Sequence, residues 1–271
     1  MKIKVICYIA LLIFLSASKK VYFSISTLGH FDSNSEEVLT LKTYEDQVPM
    51  VQAIGVTRVF GKGPAAVHAL RGAHLSIPKG RLVALRGRSG SGKTTLLNIL
   101  GALDHPSEGT VYLEGMEISR LSEARRNEVR RKQIGLIFQS FALVPYMSAY
   151  ENVEFGLRIS GIHPNQYKRL AEEALDFVGL KPRMKHRPYE LSGGEQQRVA
   201  IARAIAHKPK LILADEPTAE LDSRMGLQVL KLFKDLVQEG MTIILTTHDL
   251  AIMEIVDEVY ALEDGTIVDE G

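Results

Sequence analysis

The chain has 271 residues, 45% of them apolar, enough for a substantial core in one large domain or one domain with an insertion. Thirty-three Lys and Arg against 32 Asp and Glu leave a net charge of +1, which argues against a nucleic-acid binder that relies on overall positive charge. A charged fraction of 24% argues against wholesale disorder, and a single cysteine, Cys7, excludes an intramolecular disulfide and any multi-cysteine metal site.

Met1 to Lys4 carries two lysines, Val5 to Leu15 is apolar (VICYIALLIFL), and SASKK follows. This is the outline of a secretory signal peptide, and the run is short of the about 20 apolar residues a membrane span needs. Cys7 lies inside the run rather than after it, a poor fit to a lipid-anchored cysteine. Residues 18–48 are rich in Ser, Thr and charge and show no helical or strand pattern. Three readings stand: a membrane-targeting segment, an interfacial anchor, or upstream sequence that the mature protein lacks.

From Met50 the texture changes. Val51 to Phe60 and Ala66 to Ile77 read as strands joined by a turn at Gly61 to Pro64, and Leu82 to Leu85 as a short apolar strand after Pro78-Lys79-Gly80. Lys93 to Leu100 reads as a buried helix. Further strands are expected at Thr110 to Leu113, Gly135 to Phe138, Leu211 to Ala214, Thr242 to Leu245 and Glu258 to Leu262. Short apolar strands alternating with helices predict a largely parallel sheet covered on both faces. The middle is helical: Leu121 to Arg131, Ala149 to Ile159 and Gln166 to Val178, with no strand expected between Ser140 and about Pro209.

Gly87-Arg88-Ser89-Gly90-Ser91-Gly92-Lys93-Thr94 matches the phosphate-loop pattern G-x-x-x-x-G-K-[ST], between the strand VALRG and the helix TTLLNIL. The glycines let successive backbone N–H groups face phosphate oxygens, and the following helix adds its positive N-terminus. Lys93 is expected to reach the β- and γ-phosphates, the Thr94 hydroxyl to ligate Mg²⁺, and Thr95 to assist at the α-phosphate. The apolar strand Leu211 to Ala214 ends in Asp215 and Glu216. Asp215 is expected to hold Mg²⁺ opposite Thr94, and Glu216 to activate the attacking water as general base.

Leu191-Ser192-Gly193-Gly194-Glu195-Gln196-Gln197-Arg198, just upstream of that acidic strand, resembles the signature of ATP-binding cassette (ABC) ATPases. Ser192 and the amides of Gly193 and Gly194 form an anion-binding turn at the head of a helix from Gln196 to Ala206. The resemblance covers about Val51 to Gly271. It implies an α/β P-loop NTPase fold: a mostly parallel core sheet, an N-terminal antiparallel β subdomain and a helical insertion subdomain at about 140–208. It implies ATP hydrolysis with Mg²⁺, and a signature turn that contacts ATP held by the opposite cassette of a head-to-tail dimer. By the same resemblance, Gln139 touches Mg²⁺ and the attacking water. Asp222 lies in a loop along the dimer interface, where Glu220 is less usual, and His248 hydrogen-bonds the γ-phosphate. Phe60 either stacks on adenine or belongs to the core.

A single cassette without membrane spans is expected to act with a membrane permease, on the cytoplasmic face of the inner membrane. Phe138, Phe141, Leu143, Tyr146 and Tyr150 supply apolar surface around the docking groove, or pack in the core. Leu103-Asp104 with Pro106 to Gly109, Arg126-Asn127 ahead of Ile134-Gly135, and Phe141 to Pro145 with Glu151 to Val153 resemble the lipoprotein-release and macrolide-export group. In that group the cassette drives periplasmic domains as a motor, and a periplasmic adaptor enters as a partner. Polar amino-acid import ATPases and a non-transport ATPase clamping a soluble partner are the alternatives; nucleic acid is not an expected partner. Because ATP is cytosolic, residues 1–49 are expected to be a disordered appendage or the product of a mis-set start, the true one lying between Val38 and Met50. Residues 50–271 form the cassette domain.

Overall fold

The computed structural model describes residues 48–249 and 252–268. The sequence expectations for residues 1–47 therefore lie outside the described residues. The described residues build two sheets. The first is antiparallel and four-stranded: β1 (Val51–Phe60), β2 (Val67–Ile77), β4 (Glu108–Leu113) and β5 (Met116–Glu117), in the order β2-β1-β4-β5. The second has six strands in the order β10-β9-β3-β8-β7-β6, from β3 (Leu82–Arg86), β6 (Ile134–Ile137), β7 (Leu211–Ala214), β8 (Thr242–Thr247), β9 (Glu258–Glu263) and β10 (Thr266–Val268). All its pairings are parallel except β9 with β10.

Strand periodicity divides the core. In β3, Leu82 and Ala84 face one way and Val83 and Leu85 the other, and all four are buried. Val83 and Leu85 join Leu213 of β7, Ile244 of β8, helix α1 (Lys93–Leu100) and the antiparallel sheet in one hydrophobic layer. Leu82 and Ala84 join Ile212, Ile243 and Leu245 in the opposite layer, beneath the later helices. Both faces are covered, which is why these strands read as continuous apolar runs rather than alternating ones.

Helix α2 (Glu123–Gln133) leads into β6. Between β6 and β7 the chain is helical: α3 (Ala149–Ser160), α4 (Tyr167–Phe177) and α5 (Gly193–Ile205), with short 3-10 turns between them. Helix α6 (Ser223–Gln238) follows β7 and has no counterpart among the sequence expectations. It presents Val229, Leu230, Phe233 and Leu236 to the core at helical spacing. Phe233 is fully buried, and truncating it to Ala would cost about 3–5 kcal/mol. Helix α5 starts earlier than expected, at Gly193, so the signature glycines lie inside its first turn.

Candidate active site

The chemistry-bearing residues gather at the C-terminal ends of β3, β7 and β8, three adjacent strands of the parallel sheet. The loop after β3, Gly87 to Gly92, leads straight into α1. Gly92 is the N-cap of α1 at φ 103°, and a Cβ there would stand 2.5 Å from the Ala69 carbonyl oxygen of β2. At Gly87 a Cβ would stand 2.4 Å from the Leu262 carbonyl oxygen, so neither position accepts a side chain without moving backbone. Among the described residues no side chain caps α1. Its first N–H groups therefore point out of the helix without an acceptor, at the positive end of its dipole. That arrangement fits a bound phosphate. Arg88, Ser89 and Gly90 are exposed on the loop, Ser91 is buried beneath it, and Thr95 is half-buried.

Lys93 is only 5% exposed, and its Nζ donates to the Gly87 and Arg88 carbonyl oxygens at 2.8 and 3.1 Å. The ammonium thus crosses the mouth of the loop, 3.9 Å from a Glu216 carboxylate oxygen. The Thr94 hydroxyl donates to Asp215 Oδ1 at 3.1 Å. Two hard oxygen donors from different elements meet there, the donor chemistry of a Mg²⁺ site. Among the described residues no group of three or more His, Cys, Asp or Glu side chains could hold a metal. A cation at Thr94 and Asp215 would take its remaining oxygens from nucleotide and water.

Asp215 keeps the strand ladder, its N–H donating to the Ile137 carbonyl of β6 at 2.9 Å. Glu216 breaks it, with φ at 43°. For a residue other than glycine this left-handed backbone costs on the order of 1–3 kcal/mol. The turn brings the Glu216 carboxylate 3.4 Å from His248 Nδ1. His248 lines two clefts. One, of about 650 Å³, runs along the phosphate loop and the β9–β10 turn; the other, of about 470 Å³, is lined by Glu216, Thr218, Leu221 and Thr247.

The structure thus assembles Lys93, Thr94, Asp215, Glu216 and His248 within one chain. It also adds Thr246, which sequence reasoning passed over: its hydroxyl donates to Asp215 Oδ1 at 2.6 Å and accepts from the Glu216 N–H at 2.8 Å. The signal lay in register alone, since Ala214 pairs with Leu245 and sets Thr246 beside Asp215.

Other expected site residues are carried by other elements. Gln139 is exposed two residues past the end of β6. The loop after it is held by Arg203 of α5, which donates to the carbonyl oxygens of Phe141 and Ala142, two consecutive residues with φ of 59° and 49°. Burial lowers the Arg203 pKa. Phe60 is 42% exposed, which excludes the core alternative. The Arg58 guanidinium lies 4.5 Å from its ring centroid and is itself paired to Asp104 at 2.8 Å.

Ser192 caps α5 in a capping box with Glu195: the Glu195 N–H donates to the Ser192 hydroxyl at 3.3 Å, and the Ser192 N–H to the Glu195 carboxylate at 2.9 Å. The Ser192 N–H holds the Glu195 carboxyl below its ordinary pKa range. The N–H groups of Gly193 and Gly194 are left as the open donors of that helix end. Asp222 caps α6, accepting from the Met225 N–H at 2.9 Å. A Cβ on Gly194 would stand 3.0 Å from Met225 Sδ, so the signature turn and the Asp222 loop are neighbours. Among the described residues, no hydrogen bond or ion pair joins that pair to the phosphate loop.

A phosphate loop after the central β3 and an acidic pair at the end of β7, separated from β3 by β8, define a P-loop nucleotide hydrolase. The sequence profile described as ABC transporter matches residues 70–219. The chain is 42% identical over 224 residues to the lipoprotein-releasing system ATP-binding protein LolD of Saccharophagus degradans, covering 82% of this chain and 98% of that protein. It is 45% identical over 221 residues to the macrolide export ATP-binding/permease protein MacB of Wolinella succinogenes, covering 82% of this chain but 34% of the longer relative. Among solved structures, the dimeric post-hydrolysis state of the ATP-binding cassette MJ0796 bound to ADP and Pi superposes with a TM-score of 0.75. That match has 39% identity and covers 81% of this chain and 97% of the other. The chain belongs to the ABC transporter family, as one of its ATP-binding and ATP-hydrolysing subunits.

Proposed function

We propose that the cluster around Asp215 is the hydrolytic half-site of an export-type ABC motor of the LolD and MacB kind. The observation that carries the reading is the convergence of Lys93, Thr94, Asp215, Glu216 and His248 at adjacent strand ends. The phosphate loop, Gly87 to Thr94, cradles the phosphates with its N–H groups, Thr95 assists at the α-phosphate, and Lys93 neutralises the β- and γ-phosphate oxygens. Thr94 and Asp215, with Gln139, would hold Mg²⁺, which supplies charge neutralisation on the phosphate oxygens when bound. Glu216 accepts a proton from water as its oxygen bonds to the γ-phosphorus. The bond to the bridging oxygen breaks with its electron pair leaving on ADP, so the products are ADP and phosphate. His248 orients the γ-phosphate, and Phe60 stacks on adenine.

Ser192, Gly193, Gly194 and Asp222 serve a second copy. The open N–H donors at the head of α5 fit a γ-phosphate presented across a two-fold interface. The relative MJ0796, solved as a dimer bound to ADP and Pi, supports this reading.

No helix among the described residues is long and apolar enough to cross a membrane. We assign the motor to an integral membrane permease at the cytoplasmic face of the inner membrane, with a periplasmic adaptor in the assembled export system. Phe138 and Tyr146, 39% and 84% exposed beside the helical segment, are the apolar surface offered to the permease. Leu143 and Tyr150 instead pack against the core. Residues 50–271 are the working cassette, with the helices of about 140–208 as its insertion.

The test is turnover by the full chain. Glu216→Gln should bind ATP as the unaltered chain does and lose about 10²–10⁴-fold in kcat, the range for a removed general base. Full turnover by that variant contradicts the role of Glu216.

A further inference from the structure

We propose that Thr246 is a positioning residue for ATP hydrolysis, its hydroxyl setting the directions of the two adjacent carboxylates, Asp215 and Glu216. The inference rests on the site reading above and extends it to a residue outside its motifs.

Successive side chains of a strand point to opposite faces. Asp215 and Glu216 can serve one phosphate only if the chain leaves the extended conformation between them. It does so at Glu216, where φ is 43°. The Asp215 N–H still pairs with a carbonyl of β6. The Glu216 N–H pairs with no carbonyl of β8; its acceptor is the Thr246 side chain, at 2.8 Å.

The same oxygen donates its proton to Asp215 Oδ1 at 2.6 Å. A hydroxyl carries one donor and can also accept, so Thr246 bridges the two residues with both capacities used. Thr246 is fully buried, so no solvent competes for either bond. It lies on the central strand β8, paired with Leu85 of β3 just before the phosphate loop, which makes it a rigid reference for both carboxylates. Asp215 Oδ1 also accepts from Thr94, so one chain of hydrogen bonds runs from α1 through Asp215 and Thr246 to the Glu216 backbone. A valine would fill the same space and supply neither bond.

Thr246→Val and Thr246→Ser in the full chain test this. Valine should lower kcat by about tenfold and move KM for ATP by less than about threefold, because lost positioning acts on the transition state. Serine keeps the hydroxyl and should restore most of the turnover. Hydrogen exchange at the Glu216 amide, read without nucleotide, should speed up in the valine variant and not in the serine variant. If valine does not fold, Thr246→Ala against Thr246→Ser carries the same comparison. Unaltered kcat and Glu216 exchange without the hydroxyl would overturn the proposal, as would failure of serine to rescue. The site reading is tested separately: if Glu216→Gln has full turnover, that reading fails; if Glu216→Gln is inactive and Thr246→Val is not, only Thr246 is misassigned.

Discussion

At the scale of single residues, His207 shows how burial turns into a pH dependence. It lies between α5 and β7 with its Nε2 buried and without a hydrogen-bond partner among the described residues. Burial lowers its pKa, while a hydrogen bond with the Ile134 backbone pulls the other way. An unfolded histidine titrates at about 6.5. Below that pH the unfolded chain binds a proton that the folded chain does not, so His207 costs stability as pH falls from about 7 toward its lowered folded value. Above pH 7 its contribution is flat. The urea midpoint should therefore drop from pH 7.5 to pH 5.5 more in the unaltered chain than in His207→Leu. Equal drops would contradict the assignment. The site residues differ in how openly they were written. Gly87 to Thr95, Asp215 and Glu216 are proposed from contiguous strings whose neighbours report a strand or helix, and His248 from the family resemblance alone. Thr246 was not legible, because its role depends on the register of β8 against β7, a contact 31 positions away in sequence. Phe60 was ambiguous because an aromatic at a strand end suits both core and surface until its exposure is known.

At the scale of elements, two helices begin with the same device. Ser148 and Glu151 form a capping box on α3, and Ser192 and Glu195 form one on α5. A cap lost to alanine costs about 1 kcal/mol, about 2–4 °C in Tm for a domain of this size. Ser148→Ala and Ser192→Ala should both show that loss in thermal unfolding. Only Ser192→Ala should also lose turnover, measured well below Tm, if its helix end serves ATP as proposed. Equal turnover in both variants would reduce Ser192 to a cap. Most strands and helices were legible from apolar period and turn residues, with ends displaced by one to three residues. Helix α6 was an exception, as were the short β5 and β10. Its signal is present in Asp222 as cap and in Val229, Leu230, Phe233 and Leu236, but Gly226 in its second turn weakens local propensity. The strand β10, three residues long, is too short to show a period of two.

At the scale of the molecule, the parallel sheet decides what one chain can do alone. It collects the phosphate loop, the acidic pair and His248 at one set of strand ends, and the signature turn stands beside the Asp222 loop. The layered α/β architecture was legible because both faces of the sheet are buried and its strands are uniformly apolar. The assignment of the signature turn to an opposite copy came from the resemblance of Leu191 to Arg198 to the family signature, because how loops are displayed around a sheet is not a local pattern. The central claim, that two copies complete each other's ATP sites, is tested most directly by sedimentation equilibrium of the full-length Glu216→Gln chain. With saturating Mg·ATP the account predicts the mass of a dimer, falling to a monomer without nucleotide; a monomer with ATP bound would contradict it.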